Sequence, residues 1–412
     1  MKRLNVLLGE RPVGQLLAQQ GAHYFSFDES FIQAPLPLSP YKLAAIPGVS
    51  EHREGHFLTL PGLIYDSLPD RFGMSVLRKK FQDLGILHPT PLQMLSYLGS
   101  RTMGALTYAP AKDEADAQEM IDLVNAAQSA KSLQQMEHLD HLDPAIVQAG
   151  GTAGGATPKL LAAISPDRSR ILTGPSNIPS GMEAWIIKLN TTQAKTSSIC
   201  QIEQTYFELA KKAGIHVPDT MLLPDKNGVP HFAIRRFDRE RSNPNHRLHI
   251  HSYAAMAGID FSSPSTDYED LLRLTKNLTR NFEDVCEQFR RMLFNLLASN
   301  RDDHAKNFSF SMDSEGKWTN TPAYDLLYTN NDLGGNWMLI RGKRNNIRYQ
   351  DLKQLADLMG ISQNQLNTML EQIQDALSQW PTLAKANGIG TGLRNVVQTV
   401  IKDLHSSLGS IT

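Results

Sequence analysis

The sequence has few cysteines, almost no net charge and no long run of apolar residues. Its two cysteines, Cys200 and Cys286, are spaced neither as a disulfide framework nor as a metal-binding motif. Such sparse usage is typical of a protein from a reducing compartment. We therefore predict that both cysteines are buried as small hydrophobic residues.

Charge of neither sign is in excess, because 41 basic residues stand against 42 acidic ones and the formal net charge is -1. A surface with this balance has no strong general attraction for nucleic acid or anionic membranes. No uncharged apolar stretch reaches the length of about 18 residues that a membrane span needs. The N-terminal apolar stretch is interrupted by Glu10 and Arg11 before it is long enough for a signal peptide. We expect a cytoplasmic protein without a membrane partner.

The remaining composition, with 41% hydrophobic and 20% charged residues, is that of an ordinary globular protein. At 412 residues the chain has room for two or three domains, each with its own core. We predict a strand-rich unit at residues 1–110, a second β-rich unit at residues 111–240 and a mainly helical unit at residues 241–412. The polar residues 109–117 mark the first boundary. This order predicts an α+β fold.

Local patterns place the individual elements. A hairpin is predicted where residues 6–8 and 15–17 flank a turn that contains Gly9, Pro12 and Gly14. Hydrophobic periodicity predicts helices at about residues 74–81, 92–99, 117–130, 143–148, 197–213, 250–257, 266–278, 282–300, 350–359, 362–378 and 391–408. A second hairpin, at residues 307–319, is predicted from the turn residues 313–316.

The most specific motif is NRDDHAKNFSF at residues 300–310, directly after a long predicted helix. Asp302 and Asn307 have the spacing of the aspartate and asparagine in the catalytic loop of protein kinases. At this spacing Asp302 would orient the attacking hydroxyl or accept its proton, and Asn307 would place its amide oxygen on Mg²⁺. Lys306, between them, would neutralise charge on the transferred phosphoryl group.

Two other interpretations of this motif stay open. A solvated polar loop would also be rich in asparagine, aspartate, histidine and lysine. A zinc-type site formed by Asp302, Asp303 and His304 is a further alternative, but the sequence has no other histidine or cysteine at ligand spacing.

Residues downstream and upstream extend the kinase interpretation. Asp325, in PAYDLLY at residues 322–328, lies where a kinase has its second Mg²⁺ ligand. Lys188 lies in a strand-like apolar run and needs an anionic partner, because a buried ammonium is costly unless it is paired. Glu203, on the following predicted helix, would supply that partner. The alternatives are a turn aspartate and an edge-strand lysine.

Two further segments fit a nucleotide site. Residues 150–159 have the sequence GGTAGGATPK, whose backbone N–H groups are free of side-chain bulk and suited to covering phosphates. The segment is neither a Walker A loop nor a dinucleotide motif, and a flexible connection is the alternative. Its Thr152 offers a hydroxyl that could itself be phosphorylated. Residues 234–239 (IRRFDR) end a strand at the place where an adenine-binding hinge would lie. The alternative is an ordinary strand end with basic residues at its edge.

Taken together, these motifs resemble the HipA family of toxin–antitoxin kinases over nearly the whole chain. The segments VLLGERPVGQL and LPDRFG resemble the family's N-terminal subdomain, and RDDHAKNFSF with PAYDL resembles its catalytic core. The resemblance implies a two-lobed fold related to protein and phosphatidylinositol kinases. It also implies ATP and Mg²⁺ as cofactors.

By the same resemblance, Asp302 matches the catalytic aspartate, and Asn307 and Asp325 match the metal ligands. Lys188, supported by Glu203, matches the lysine that binds ATP. Thr152 matches a loop serine that family members autophosphorylate. The remaining nucleotide contacts implied by the resemblance are Gly154, Gly155, Ala156, Thr157, Pro158, Lys159, Arg235, Arg236, Phe237, His304, Ala305, Lys306 and Tyr324.

Two residues depart from the family pattern. Threonine replaces serine at residue 152, which keeps the hydroxyl but adds a methyl group. Arg235 stands where some relatives have glutamate, so nucleotide affinity depends on whether this residue contacts adenine through its backbone or through its side chain.

The resemblance further implies a serine/threonine-protein kinase that phosphorylates an aminoacyl-tRNA synthetase and thereby inhibits translation. A small helix-turn-helix antitoxin (HipB-like) would restrain it and would make the only connection to DNA. Two alternative functions are a catalytically silent ATP-binding pseudokinase or co-repressor, and a small-molecule kinase on the same fold.

Overall fold

The computed structural model describes residues 2–111, 119–135, 142–150, 157–174, 176–331 and 333–408. Within these ranges the chain forms three antiparallel sheets, two of five strands and one of three. No helix in these ranges is long and apolar enough to cross a membrane. Cys200 and Cys286 are both buried and free, as predicted.

The first sheet belongs to the N-terminal part of the chain and has the strand order β4-β3-β2-β1-β5. Four helices accompany it. The elements are β1 Arg3–Leu8, β2 Arg11–Gln19, β3 Ala22–Phe27, α1 Glu29–Gln33, β4 Ser50–His52, α2 Gly62–Tyr65, α3 Arg71–Asp83, α4 Pro91–Leu98 and β5 Leu106–Ala109.

The predicted N-terminal hairpin is confirmed, but its turn is tighter than expected. Only Gly9 and Glu10 connect β1 to β2, and Pro12 and Gly14 lie within β2. Gly14 is required there by close approach of the neighbouring strand. A Cβ atom at this residue would lie 2.3 Å from the carbonyl oxygen of Ser26. The glycine thus marks strand packing and not a turn.

The second sheet follows, with the strand order β7-β6-β8-β10-β9. Its strand β6 is buried along its whole length, which explains the continuous apolar run LLAAI. The elements are α5 Leu123–Gln134, β6 Lys159–Ile164, β7 Ile171–Thr173, β8 Glu183–Lys188, α6 Ile199–Lys212, β9 Thr220–Pro224 and β10 Pro230–Arg235.

The rest of the chain is mainly helical, with a small sheet of order β11-β12-β13. The predicted hairpin at 307–319 is present as β12 and β13. The elements are β11 His249–Ser252, α7 Tyr253–Ala257, α8 Tyr268–Thr279, α9 Phe282–Leu297, β12 Ser309–Met312, β13 Trp318–Asn320, α10 Tyr349–Met359, α11 Gln363–Ser378, α12 Trp380–Ala386 and α13 Thr391–Ser407.

Three helix predictions differ from the structure. The helix predicted at residues 117–130 is found as α5, Leu123–Gln134, and the described residues 119–122 before it are not helical. The predicted helix at residues 250–257 begins as strand β11, because residues 249–252 pair with β12. Helix α7 starts only after Ser252, whose hydroxyl accepts a hydrogen bond from the Ala255 N–H at 3.2 Å. At residues 143–148 the predicted helix is instead a π-helical segment, Ile146–Gly150.

The hydrophobic core joins the N-terminal part to the helical part. One continuous cluster of buried residues extends from Leu4 in β1 to Leu408 after α13. A second cluster lies on the second sheet and includes Phe72 and Val76 of α3. Helix α3 packs against the π-helical segment Ile146–Gly150 and against α5, which joins the N-terminal part of the chain to the core on the second sheet.

Candidate active site

A large cleft of 1390 Å³ is lined by strands of the second and third sheets and by helices and loops of the N-terminal part of the chain. It is lined by the end of β8, by the loop after α9, by the loop after β13 and by α3. The predicted site residues that line it are Thr157, Lys159, Lys188, Glu203, Arg235, Arg236, Phe237, Asp302, His304, Lys306, Asn307, Tyr324 and Asp325.

The other predicted site residues do not line this cleft or are not described. Pro158 and Ala305 are buried outside its lining. Thr152, Gly154, Gly155 and Ala156 lie outside the described residues.

Lys188 occupies the centre of the cleft, at the end of β8. Its Nζ lies 2.5 Å from Glu203 Oε1, as predicted, and also contacts Asp325. Burial alone would lower the pKa of Lys188, but the attraction of Asp325 and Glu203 outweighs burial and raises it. The ammonium is therefore charged and links α6 to the loop after β13.

Lys159 places a second cation beside the first, because it pairs with Lys188 in the register of β6 and β8. Burial lowers the pKa of Lys159, and the neighbouring Lys188 lowers it further. The carboxylates of Asp325 and Glu203 oppose this lowering, so the two lysines and the two carboxylates form one buried cluster of charges.

Asp302 lies in the loop between α9 and β12. Backbone contacts hold this loop, since Thr329 Oγ1 accepts the N–H groups of Arg301 at 2.6 Å and Asp302 at 3.1 Å. The carboxylate of Asp302 faces the cleft and is exposed. The surrounding walls reduce its solvation and raise its pKa, although the neighbouring His304 and Arg71 oppose this shift.

Asn307 lies next to Asp302 in space, since its Nδ2 donates a hydrogen bond to the Asp302 carbonyl oxygen at 2.8 Å. This orientation directs the amide oxygen away from that carbonyl. Asp325 lies across the cleft in the left-handed region, with a φ of 53°. Its carbonyl oxygen accepts a hydrogen bond from Asn300 Nδ2 at 3.3 Å, which holds the unusual backbone. Asn307 and Asp325 offer an amide oxygen and a carboxylate, which are ligand types that fit Mg²⁺.

Asp303 has a structural role that the sequence did not indicate. It is buried and accepts hydrogen bonds from Tyr268 Oη at 2.6 Å, Asn336 Nδ2 at 2.9 Å and the Trp337 N–H at 2.6 Å. A carboxylate used in this way is not available to a zinc ion. The part of the chain that the structure describes holds no group of three or more His, Cys, Asp or Glu residues suited to a metal ion.

Lys306 is bound by the N-terminal part of the chain. Its Nζ contacts Asp70, just before α3, and lies 5.1 Å from the ring centroids of both Tyr65 and Phe261. Burial would lower the pKa of Lys306, but Asp70 and its neighbours raise it. Asp70 is a site residue that chemical reasoning from the sequence missed. Only the LPDRFG segment in which it stands pointed to it.

In the predicted hinge, the two arginine side chains form ion pairs within the protein, whereas the phenylalanine ring stacks on another aromatic ring. Arg235 Nη1 lies 2.8 Å from Glu183 Oε1, so this guanidinium is already paired. Arg236 is buried and binds both carboxylate oxygens of Asp238, at 2.9 and 2.8 Å. Phe237 stacks on Tyr324, with ring centroids 5.5 Å apart. Of the three predicted hinge residues, only Phe237 presents an aromatic surface that could contact a base.

Asp238 connects this hinge to the N-terminal part of the chain. It also binds Arg239 Nη1 at 2.8 Å and accepts the Gly104 N–H at 2.8 Å. Arg247 adds hydrogen bonds to the carbonyl oxygens of Gly104 at 2.8 Å and Thr102 at 2.8 Å. The segment before β5 is thus fixed against the hinge.

Comparison with known families and structures agrees with this architecture. A family model described as the HipA N-terminal domain matches residues 4–109, and one described as the HipA-like C-terminal domain matches residues 151–380. The structure of the Shewanella oneidensis MR-1 toxin–antitoxin system HipA, HipB and its operator DNA complex superposes with a TM-score of 0.70. It is 18% identical, and the alignment covers 98% of this chain and 96% of that chain. The predicted α+β, two-lobed kinase-like fold is confirmed.

Two curated relatives have lower coverage. Putative kinase Y4dM of Sinorhizobium fredii is 27% identical over 350 residues, which are 79% of this chain and 77% of the relative. Toxin YjjJ of Escherichia coli is 24% identical over 257 residues, which are 60% of this chain and about half, 51%, of the relative. Since the C-terminal family model alone spans more than half of the sequence, the chain belongs to the HipA family.

Proposed function

We propose that the protein is an ATP- and Mg²⁺-dependent serine/threonine-protein kinase and the toxin of a type II toxin–antitoxin system. The observation that carries the proposal is the placement of Lys188, Asp302, Asn307 and Asp325 in one cleft. This set combines a paired lysine, an exposed carboxylate and oxygen ligands, which are the parts that phosphoryl transfer requires.

The proposed roles follow from the environment of each side chain. Lys188, held by Glu203, would bind the phosphates of ATP together with Lys159. Asn307 and Asp325 would hold Mg²⁺, which when bound neutralises charge on the phosphates. Phe237 and Tyr324 would contact the adenine. The nucleotide loop, Gly154 to Lys159, is proposed from the resemblance alone for the residues that are not described.

Asp302 would act on the accepting hydroxyl. Its carboxylate is exposed in the cleft, where a substrate hydroxyl can approach, and it forms no ion pair among the described residues. An aspartate in this position would orient the hydroxyl and accept its proton during transfer. The exposed carboxylate supports an active enzyme over the alternative of a catalytically silent pseudokinase.

The target and partners belong to the same proposal. We propose that the substrate is an aminoacyl-tRNA synthetase and that the protein autophosphorylates on Thr152. We also propose that it binds a HipB-like antitoxin and associates with DNA only through that antitoxin. Support comes from the Shewanella structure, which is a complex of HipA, HipB and operator DNA, and from the relative that is named Toxin YjjJ.

The test is phosphate incorporation from labelled ATP with Mg²⁺ into the protein itself and into proteins of a bacterial lysate. We expect incorporation by the unchanged protein and its loss in Asp302→Ala. The matched control is Asp357→Ala, since Asp357 is an exposed aspartate of α10 outside the cleft. Equal incorporation by Asp302→Ala and the control would contradict the mechanism. Label found in metabolites and not in protein would instead identify a small-molecule kinase.

A further inference from the structure

Helix α3 presents a basic face to the outer part of the cleft. Arg71, Ser75 and Arg78 are exposed, lie three or four residues apart and line the same cleft as Asp302. The opposite face of the helix is buried, since Phe72 and Val76 pack into the core on the second sheet. The packing of α3 therefore fixes the direction in which the two arginines point.

The two guanidinium groups are available to a ligand. Neither Arg71 nor Arg78 forms an ion pair or a side-chain hydrogen bond with any part of the chain that the structure describes. Lys79, by contrast, lies outside the cleft and is paired with Asp83 at 2.7 Å. Arg71 is also close enough to Asp302 to lower the pKa of that carboxyl. An arginine face without a partner among the described residues thus lies beside the proposed reaction centre.

The cleft is larger than a nucleotide requires. Its volume of 1390 Å³ exceeds the range of about 300–1,000 Å³ that is usual for small-molecule sites. Its rim also carries three exposed apolar side chains, Leu58, Leu87 and Ile199, with exposed fractions of 40%, 69% and 42%. A nucleotide bound at Lys188 needs none of these side chains, whereas a polypeptide segment would cover them.

We infer that the α3 face binds acidic side chains of the protein substrate next to the hydroxyl that is phosphorylated. This inference rests on the proposed kinase function and specifies its substrate. Arginine recognises carboxylates through paired hydrogen bonds, and two free guanidinium groups suit one or two acidic residues. Nucleic acid would need a longer basic track than two side chains, since its affinity comes from many phosphate contacts. An acidic peptide segment is the ligand that the observed charges favour.

The experiment measures binding separately from catalysis. Two fluorescent peptides with a central serine, one flanked by glutamates and the other by lysines, are titrated with the full chain in the presence of Mg²⁺ and a non-hydrolysable ATP analogue. The variant is Arg71→Glu with Arg78→Glu. The charge-matched control is Arg168→Glu with Arg170→Glu, because these exposed arginines flank the turn between β6 and β7, outside the cleft. Thermal melting checks folding, and Arg71→Gln with Arg78→Gln replaces the variant if it does not fold.

We expect the acidic peptide to bind at least about tenfold more tightly than the basic one. The preference should disappear in the α3 variant, persist in the control and weaken with added salt. Equal binding of both peptides, or equal loss in the variant and the control, would overturn the inference. So would α3-dependent binding of a single-stranded RNA in preference to the acidic peptide.

The same peptides and protein variants, incubated with labelled ATP in place of the analogue, separate this inference from the kinase proposal. An acidic peptide that binds through α3 but receives no phosphate from ATP would disprove the kinase activity and leave the binding face intact. Phosphate transfer to both peptides without regard to charge would support the kinase and disprove the α3 face.

Discussion

Lys306, in the loop that carries Asp302, forms an ion pair with Asp70, which lies 236 residues earlier in the chain. The pair joins the N-terminal part of the molecule to the proposed reaction centre. The rings of Tyr65 and Phe261 flank the same ammonium. The N-terminal part therefore contributes directly to the position of a charged group in the loop that carries Asp302.

Replacing Asp70 by asparagine should lower turnover without a comparable change in the KM for ATP. Lys306 would lose its anionic partner and its fixed position, and misplacement of a catalytic group costs roughly 10- to 100-fold in rate. Initial rates of phosphate transfer at varied ATP concentrations measure both constants. Asp70→Glu should recover part of the rate. Asp83→Asn, which removes a carboxylate from the end of α3 outside the cleft, is the control. A rise in KM alone would show that Asp70 affects only nucleotide binding.

Replacing Lys188 by methionine should destabilise the protein as well as abolish its response to ATP. The change leaves the carboxylates of Glu203 and Asp325 close together without the cation that joins them. Loss of one partner from a buried ion pair costs about 3–5 kcal/mol in the free energy of unfolding. Urea denaturation with and without ATP measures both effects. Lys188→Arg keeps the charge and should lose less stability. A Lys188→Met protein as stable as the original would show that the buried charges make no net contribution.

As the pH is lowered, phosphate transfer should be lost at a pH above about 3.9, which is the ordinary pKa of aspartate. Asp302 must be ionised to accept a proton, and its raised pKa moves the acidic limb of the rate profile upward. His304→Gln should move that limb higher still, because His304 is one of the neighbours that lower the pKa of Asp302. The measurement is kcat as a function of pH. An identical acidic limb in the two proteins would show that another group controls the rate.

Replacing Asp238 by asparagine should weaken the attachment of the N-terminal part to the hinge. Burial would raise the pKa of Asp238, but Arg236 and Arg239 outweigh burial and hold it well below its usual range. Its contribution to stability is therefore present above the unfolded pKa, near 3.9, and is lost as the pH falls through the lower folded value. We expect a loss of about 3–5 kcal/mol at neutral pH.

Chemical denaturation at neutral and acidic pH tests this expectation. The difference in stability between the original protein and Asp238→Asn should shrink as the solution is acidified. Asp357→Asn, at an exposed site on α10, is the control and should change stability little. A difference that is independent of pH would assign the effect to packing and not to charge.

Replacing Arg235 by alanine should leave ATP affinity nearly unchanged. The guanidinium of Arg235 is already paired with Glu183 at 2.8 Å, so its side chain is committed within the protein. Phe237→Ala should weaken binding more, because loss of a ring that stacks on a base costs roughly 1–3 kcal/mol. Isothermal titration with ATP compares the two variants. A larger loss in Arg235→Ala would show that the arginine side chain contacts the nucleotide.

Patterns along the sequence were enough to predict the main elements of the fold. The hydrophobic period of α8, α9, α10 and α11 identified four long helices, since each buries one face. The strand β11 was missed because it has four residues and is stabilised by pairing with β12, which lies almost sixty residues later. Short elements of this kind depend on tertiary contacts that local patterns do not encode.

The ion pair at the centre of the site was predictable because both of its residues lie in neighbouring elements of the sequence. Lys188 in an apolar run requires an acidic partner, and Glu203 lay on the next helix. Asp70 and Asp238 were not identified because each acts on a residue or segment far away in sequence. Asp303 was considered as a metal ligand, whereas its buried position beside Tyr268 makes it a structural acceptor. Spacing along the sequence indicated which residues could belong to the site. It did not indicate which residues far apart in sequence would pair with each other.

Asp325 combines a strained, left-handed backbone with a carboxylate that the proposed site requires. Glycine adopts such a φ without steric cost, whereas an aspartate there is held at some expense by contacts such as the one from Asn300. Asp325→Gly would relieve this strain, but it would also remove the carboxylate that Lys188 contacts. The chain therefore keeps a strained backbone at this residue together with a carboxylate that serves both the ion pair with Lys188 and the proposed metal site.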